Sequence, residues 1–325
     1  MMSEIKVSVK GWIKSLLFNV FSKVGLWHIF TNKAKTPKIL MYHRLTNSNI
    51  IPGISTAKFE AHLQHLCNYY EVVSVEEIIS DIKKNKYNAN KIALTFDDGY
   101  VDFYEKAWPL LKKYNVPASV YITTEFIEKK RWMWPDKVRV MLDKTTLRKI
   151  NIPLVGELQL TQQNFEKNWH IISDYCLSLT EFEREHFLLE LTELLEVPIK
   201  ECPTSDFSAL TWEQLLIMQQ EGLNIGSHTI THPILTSISN EQLTNELSES
   251  KCVIERMLNI EIKGICYPNG MPNDVSTVVI ETAKNSGYSY GLIAYTADVS
   301  YTNLFKTDRI PASENIAAFA FSLLS

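Results

Sequence analysis

The chain has 325 residues, 45% hydrophobic and 22% charged, an ordinary globular composition that suits one large α/β domain with an insertion, or two small domains. Its formal net charge of −4 gives no electrostatic footprint for nucleic acid, so no nucleic-acid partner is expected. The five cysteines, Cys67, Cys176, Cys202, Cys252 and Cys266, are odd in number, scattered and without a CxxC pair, which argues against a disulfide framework and for reduced thiols in a reducing, cytoplasmic setting.

Residues 1–35 read as a segment apart. The stretch 11–30 is hydrophobic but interrupted by Lys14, Lys23 and His28, too broken for a transmembrane span. No small-residue cleavage site marks it as a signal peptide. Its apolar residues recur at three and four, which predicts an amphipathic helix. That helix either packs on the following domain or makes peripheral membrane contact, with Trp12, Phe18, Phe21 and Trp27 at the head groups.

Residues 38–43 read as a first buried strand ending on Tyr42 and His43. Residues 55–70 read as a helix with Phe59, Leu63 and Leu66 on one face, 72–75 as a short strand, and 76–86 as a helix whose basic end suits its dipole. The run Ile92-Ala-Leu-Thr-Phe96 has the character of a buried strand. It delivers Asp97, Asp98 and Gly99 to its C-terminal end, where α/β folds keep their active sites. Adjacent carboxylates repel unless a cation or a shared proton relieves them; read alone, Asp-Gly is a turn. A helix is expected over 102–114, broken at Pro109 or beginning there, and a strand over 117–123. Strand-helix-strand alternation at this spacing argues for parallel strands in a barrel-like α/β fold.

From about 125 to 208 the rhythm changes. An aromatic cluster, Arg131-Trp-Met-Trp-Pro-Asp136, is followed by helical patterns near 162–177 and 180–195, so a mostly helical insertion is expected. Thr211-Trp-Glu-Gln214 is a capping box that opens a helix through Gln220, with Gly222 ending it. The strand 223–227 then presents His228 and His232. Four residues apart, both imidazoles face one point on a helical turn or a tight loop. One carboxylate with two imidazoles is the donor set of an open transition-metal site, leaving positions for water and substrate and the second aspartate free as a base; read alone, the histidine pair is a solvated loop. A helix over 239–258, capped by Ser239 and Gln242, a strand over 264–267 and a helix over 274–286 follow. A strand over 288–294, an extended piece over 306–311 and a closing helix over 314–324 complete the chain.

Thr95-Phe-Asp-Asp-Gly99 and His228-Thr-Ile-Thr-His232, in this order and separation, resemble the first two motifs of the polysaccharide deacetylase family, the NodB-homology, carbohydrate esterase 4 group. The resemblance runs from about 38 to 311, less the insertion. The Tyr42-His43 pair resembles the subgroup that includes poly-N-acetylglucosamine deacetylases. The resemblance implies a distorted (β/α) barrel over 36–325, with the helical insertion at about 125–208. It implies metal-dependent hydrolysis of the N-acetyl group of an N-acetylated sugar or glycan, in the making of a surface polysaccharide or glycoconjugate. Asp98, His228 and His232 would hold the divalent metal, Zn²⁺ first, with Co²⁺, Ni²⁺ and Mn²⁺ compatible. Asp97 would be the general base.

The third family motif, Arg-x-Pro-Tyr-Gly, is matched by Cys266-Tyr267-Pro268-Asn269-Gly270, without its arginine or its tyrosine. The family's backbone N–H at the tyrosine position, which completes the oxyanion hole, would come from Asn269. Arg309 is the candidate replacement for the arginine that orients the aspartate; its alternative is a surface ion pair. The family's late Leu-x-Leu-His motif is also absent, which leaves His43 to protonate the departing amine. Tyr100 would line the sugar pocket or pack as core. Trp132 and Trp134 would stack on sugar, form a lid, or pin the insertion to the barrel. Two other readings follow from the same departures: a carbohydrate-binding member without catalysis, and a hydrolase of a non-sugar amide.

Overall fold

The computed structural model describes Phe18 and residues 36–48, 50–199, 203, 205–294 and 303–324. The amphipathic helix expected over 11–30 lies outside the described residues except for Phe18. Two compact units are present: Met1–Asn47, Gly53–Ile127 and Leu210–Ser325 form one, and Ser48–Pro52 with Glu128–Ala209 form the other.

Among the described residues the first unit carries eight strands, labelled here β1 (Lys38–Tyr42), β2 (Glu71–Val72), β3 (Lys91–Phe96), β4 (Ser119–Ile122), β5 (Asn224–Ser227), β6 (Gly264–Cys266), β7 (Tyr290–Leu292) and β8 (Ile310–Pro311). They pair in parallel in the order β8-β1-β3-β4-β5-β6-β7, and β2 joins the start of β3. A single parallel bridge, Leu292 to Thr307, ties β7 to the segment before β8. The sheet is thus a curled, incompletely closed ring, the distorted (β/α) barrel. Its helices are α1 (Thr56–Tyr69), α2 (Val75–Lys83), α3 (Trp108–Tyr114), α4 (Thr124–Ile127), α5 (Trp212–Gln220), α6 (Asn240–Leu258), α7 (Thr277–Asn285) and α8 (Ile316–Ser322).

Local chemistry starts these helices where the sequence says it should. Ser55 caps α1, and Thr211 with Gln214 and Ser239 with Gln242 form reciprocal capping boxes on α5 and α6. Several elements differ from expectation: the helix expected over 274–286 begins at Thr277, capped by Ser276, and the strand expected over 288–294 is only Tyr290–Leu292. The strand expected over 72–75 is only Glu71–Val72, because Ser74 already caps α2. The helix expected over 102–114 begins as a wide π turn, Phe103–Ala107, in which the Trp108 amide donates to the Phe103 carbonyl. Pro109 lacks an N–H and crowds the carbonyl four residues back, and a widened turn before it relieves that clash.

β3 is buried from Ile92 to Phe96, as a parallel strand covered on both faces must be. Ala93 packs with Ile39, Tyr121, Cys266, Tyr290 and Leu292. On the other face Phe96 stacks on Tyr42 at 5.1 Å and meets Phe59 and Phe103 edge-on. The two-residue period of a strand puts Thr95 and Asp97 on the Ala93 side.

The second unit holds the helices Trp134–Lys144, Phe165–Ser178 and Glu181–Leu194, and an antiparallel hairpin of Lys149–Ile152 and Gly156–Gln159. The sequence reading contains neither the hairpin nor the helix at Trp134. The hairpin buries Ile150, Ile152 and Leu158 while their neighbours stay exposed, an alternation only four residues long per strand and too short to stand out between helical patterns. Trp132 is buried in a cluster with Ile51 and Phe207 of its own unit, so its ring is core rather than an open stacking platform. Trp134 is half-buried, with the Arg184 guanidinium 5.6 Å above its ring. Among the described residues no helix is long and apolar enough to cross a membrane.

Candidate active site

The C-terminal ends of β1, β3, β5 and β6 and the residues before β8 bring six sequence-predicted side chains together. Asp97 continues the β3 ladder, its amide donating to the Tyr42 carbonyl at 3.0 Å. Neighbouring strand residues point to opposite faces. At Asp98 the chain leaves the strand with φ of +73°, followed by Gly99 at +89°, and both carboxylates serve one site. A Cβ at Gly99 would sit 3.0 Å from Ile122 and Ile127 side chains, so the turn after the acids also needs glycine for space.

Arg309, the candidate for the arginine absent from the third motif, pairs with Asp97. Its Nη1 and Nη2 donate to the two Asp97 oxygens at 2.7 and 2.8 Å, a bidentate, charge-assisted pair. Nη1 also reaches Thr95 Oγ1 at 3.1 Å, and Nε donates to the Ile293 carbonyl at 3.2 Å. Both partners are only 2% exposed, so the surface-ion-pair alternative for Arg309 is set aside. Burial works against the charge on Asp97, but Arg309, then His228 and His43, outweigh it and hold the carboxyl below its ordinary value. His43 Nε2 lies 3.7 Å from Asp97 Oδ2, with its side chain 48% exposed.

His228 and His232 sit in a tight loop, not a helical turn. Thr229 and His232 both have positive φ, +72° and +62°, a strained backbone for a β-branched residue in particular. The His228 Nδ1 lies 2.7 Å from the Cys266 carbonyl. A carbonyl only accepts, so Nδ1 carries the proton and Nε2 keeps its lone pair. Burial, then the neighbouring His232, pushes the His228 pKa down to about 4, keeping the ring neutral as a ligand must be.

His228 Nε2, His232 Nε2 and Asp98 Oδ1 form a nearly equilateral triangle with sides of 3.2, 3.4 and 3.5 Å. A tetrahedral ion with bonds of about 2.0–2.1 Å separates its ligands by about 3.3–3.4 Å. The His228 Nε2 lone pair, His232 Nε2 and the Asp98 carboxylate thus converge at ligand-to-ligand spacing. The donor set and its spacing therefore fit a divalent metal with an open fourth position. A second group, Asp97, His228 and Cys266, also clusters. It suits a metal poorly. Both Asp97 oxygens are engaged by Arg309, a cation there would face a buried guanidinium, and burial pushes the Cys266 thiol well above its usual pKa.

Asn269 stands apart from this group. It is exposed, its φ is +57°, and its side chain donates to Asp274 Oδ2 at 2.6 Å. Among the described residues its side chain makes no hydrogen bond to the site acids or imidazoles. Tyr100 is buried edge-on to Phe126, which favours the core reading. Sequence reasoning missed Thr95, although its place two residues before Asp97 on one strand face could have flagged it. It also missed Glu246 on α6, for which the sequence carries no signal. The four described cysteines, Cys67, Cys176, Cys252 and Cys266, are all free.

Known proteins resemble this chain in sequence and in fold. A family model described as polysaccharide deacetylase matches residues 84–147 and 162–291, more than half of the chain. Bacillus subtilis YxkH, itself assigned to the polysaccharide deacetylases, is 24% identical, over 91% of this chain and 77% of its own length. A poly-beta-1,6-N-acetyl-D-glucosamine N-deacetylase of Staphylococcus aureus is 27% identical over 28% of this chain and 37% of its own. Among solved structures, the Streptococcus pyogenes deacetylase PplD superposes with a TM-score of 0.58 at 22% identity, covering 90% of this chain and 98% of that one. IcaB from Ammonifex degensii gives a TM-score of 0.53 at 15% identity, covering 88% and 97%. At these identities the structural likeness establishes the shared barrel.

Proposed function

The chain belongs to the polysaccharide deacetylase family, and from that premise we propose that it is a metal-dependent hydrolase that removes the N-acetyl group from an N-acetylated sugar of a surface polysaccharide or glycoconjugate. The observation that carries this reading is the juxtaposition of the Asp98–His228–His232 triangle with an ionised, Arg309-oriented Asp97. Asp98, His228 and His232 are the residues that would hold the metal. Two imidazoles and a carboxylate suit Zn²⁺, with Co²⁺, Ni²⁺ and Mn²⁺ as alternatives. When bound, such an ion makes water more acidic and polarises the acetyl oxygen.

Asp97 is the general base. Arg309 fixes its plane and keeps it unprotonated, so a free carboxylate lone pair can take a proton as water attacks the acetyl carbon. The Asn269 backbone N–H is assigned to the oxyanion that develops on the acetyl oxygen. His43, beside Asp97 and open to solvent, gives a proton to the nitrogen as the carbon–nitrogen bond breaks. The products are acetate and the free amine. The Staphylococcus aureus relative is named for poly-beta-1,6-N-acetyl-D-glucosamine, so β-1,6-linked N-acetylglucosamine oligomers lead the substrate panel.

The test is acetate release from that panel, with nucleotide-linked and monomeric N-acetyl sugars alongside, in the presence of Zn²⁺. Release that disappears in Asp97→Asn and under chelation is the expected result. Bound metal with no acetate from any sugar would replace this reading with carbohydrate binding or a non-sugar amide.

A further inference from the structure

The loop that carries both imidazoles is held from outside the site by one carboxylate. Glu246 projects from α6 and is 7% exposed. Its Oε2 accepts the backbone amides of Ile230 at 2.7 Å and Thr231 at 3.1 Å, and its Oε1 accepts the Thr231 hydroxyl at 2.6 Å. These residues lie between Thr229 and His232, the two positive-φ positions of the loop. Successive amides aimed at one anion are a stable arrangement only while the anion is there, and a buried amide without an acceptor is costly.

The rest of the loop is tied back by shorter-range bonds. The His232 amide donates to Thr229 Oγ1 at 3.1 Å, and the Thr229 amide to Ser227 Oγ at 3.2 Å. Ser227 Oγ in turn bonds Ser250 Oγ at 2.8 Å, one helical turn on from Glu246. The Thr229 and Ile230 carbonyls accept the Thr124 and Glu125 amides, each at 3.1 Å. Helix α6 thus grips both the exit of β5 and the crest of the loop. Without Glu246, the two amides and the hydroxyl at the crest lose their acceptors, and the turn that aims His232 at His228 loses its hold.

We infer that Glu246 is a positioning residue for the metal centre, which holds the 229–232 turn so that His228 Nε2 and His232 Nε2 converge on one ion. This rests on the reading of Asp98, His228 and His232 as ligands. Partners one step removed from the ligands are worth about 10–100-fold in metal affinity. Gln retains an oxygen for the two amides, and its NH₂ can donate to the Thr231 hydroxyl, so geometry rather than charge separates the variants.

The experiment measures Zn²⁺ affinity by chelator competition for the full chain, with the Co²⁺ absorption spectrum as a readout of coordination. Glu246→Ala is expected to weaken Zn²⁺ by about 10–100-fold and to change the Co²⁺ bands, while Glu246→Gln stays within a few-fold of wild type. Thr231→Val, which deletes only the hydroxyl contact, keeps the test standing if Glu246→Ala does not fold; its affinity should fall less than that of Glu246→Ala but measurably. Wild-type affinity in a folded Glu246→Ala protein, or in Thr231→Val where that is the only folded variant, overturns the inference. Asp98→Asn separates the two levels. If wild type binds tightly and Asp98→Asn does not, the ligand reading stands whatever Glu246 does; if Asp98→Asn binds as wild type, the ligand reading and the inference fall together.

Discussion

Arg309→Met is the most informative single change to the barrel. Methionine fills much of the arginine's volume, so the change removes charge and hydrogen bonds without opening a large cavity. Asp97 is then left nine-tenths and more buried, with both oxygens stripped of their donors at 2.7 and 2.8 Å, so its charge is kept at a cost or lost to a proton. Breaking a buried ion pair from one side costs about 3–5 kcal/mol, because the remaining charge has lost both water and partner. The loss of donors to Thr95 and Ile293 adds to this; Thr95 Oγ1 retains its own bond to the Leu40 carbonyl at 2.7 Å. Urea denaturation of metal-free protein at neutral pH measures the change, and chelation removes any contribution from altered metal binding. Asp97→Asn should cost a comparable amount. The double variant Asp97→Asn/Arg309→Met, with no buried charge, should recover several kcal/mol relative to the sum of the singles, as apolar or neutral replacements of buried pairs do. A cost below about 1 kcal/mol for Arg309→Met, in the range of an exposed pair, or additive singles, would refute the claim that these groups form one buried unit.

Asp97→Asn should bind Zn²⁺ with near wild-type affinity while losing turnover by about 10²–10⁴-fold; loss of metal instead would move Asp97 into the ligand set. His43→Ala, with correct metal content, should slow acetate release by a similar range, and unchanged turnover would remove His43 from the reaction. Gly226→Ala should destabilise by about 1–3 kcal/mol, because a Cβ there would overlap the buried Tyr121 ring; a thermal-unfolding scan reads it. His62 and His65 are buried, and burial first lowers their pKa values to about 3 and about 4, from 6.5 when unfolded. The unfolded chain therefore takes up protons that the folded chain refuses. Stability is complete above pH 6.5 and is lost as pH falls toward these folded values, by at most about 1.4 kcal/mol per pH unit for each ring. His62→Phe, which keeps the stack on Phe319 at 3.8 Å, should flatten that slope between pH 6 and 4.5, and an unchanged slope would assign acid sensitivity elsewhere.

What the sequence alone determined is what short-range chemistry encodes. Buried apolar runs marked β1 and β3, capping boxes at Thr211 and Ser239 marked helix starts to the residue, and Asp97, Asp98, His228 and His232 marked a candidate site by residue type and spacing. These signals survive in one dimension because a strand's period, a cap's three-residue reach and a loop's four-residue spacing lie within a few bonds. Arg309 was legible only as a candidate, since its partner lies 212 residues away and no local pattern says whether a charged side chain is buried. The tertiary structure alone decided that pairing, the tautomer of His228 fixed by the Cys266 carbonyl, and the separation of Asn269's side chain from the site. It also decided the hairpin of the second unit and the grip of Glu246 on a loop 15 and 16 residues earlier. The Arg309–Asp97 and His228–Cys266 contacts join distant segments, and their energy exists only once the barrel has brought the strand ends to one rim.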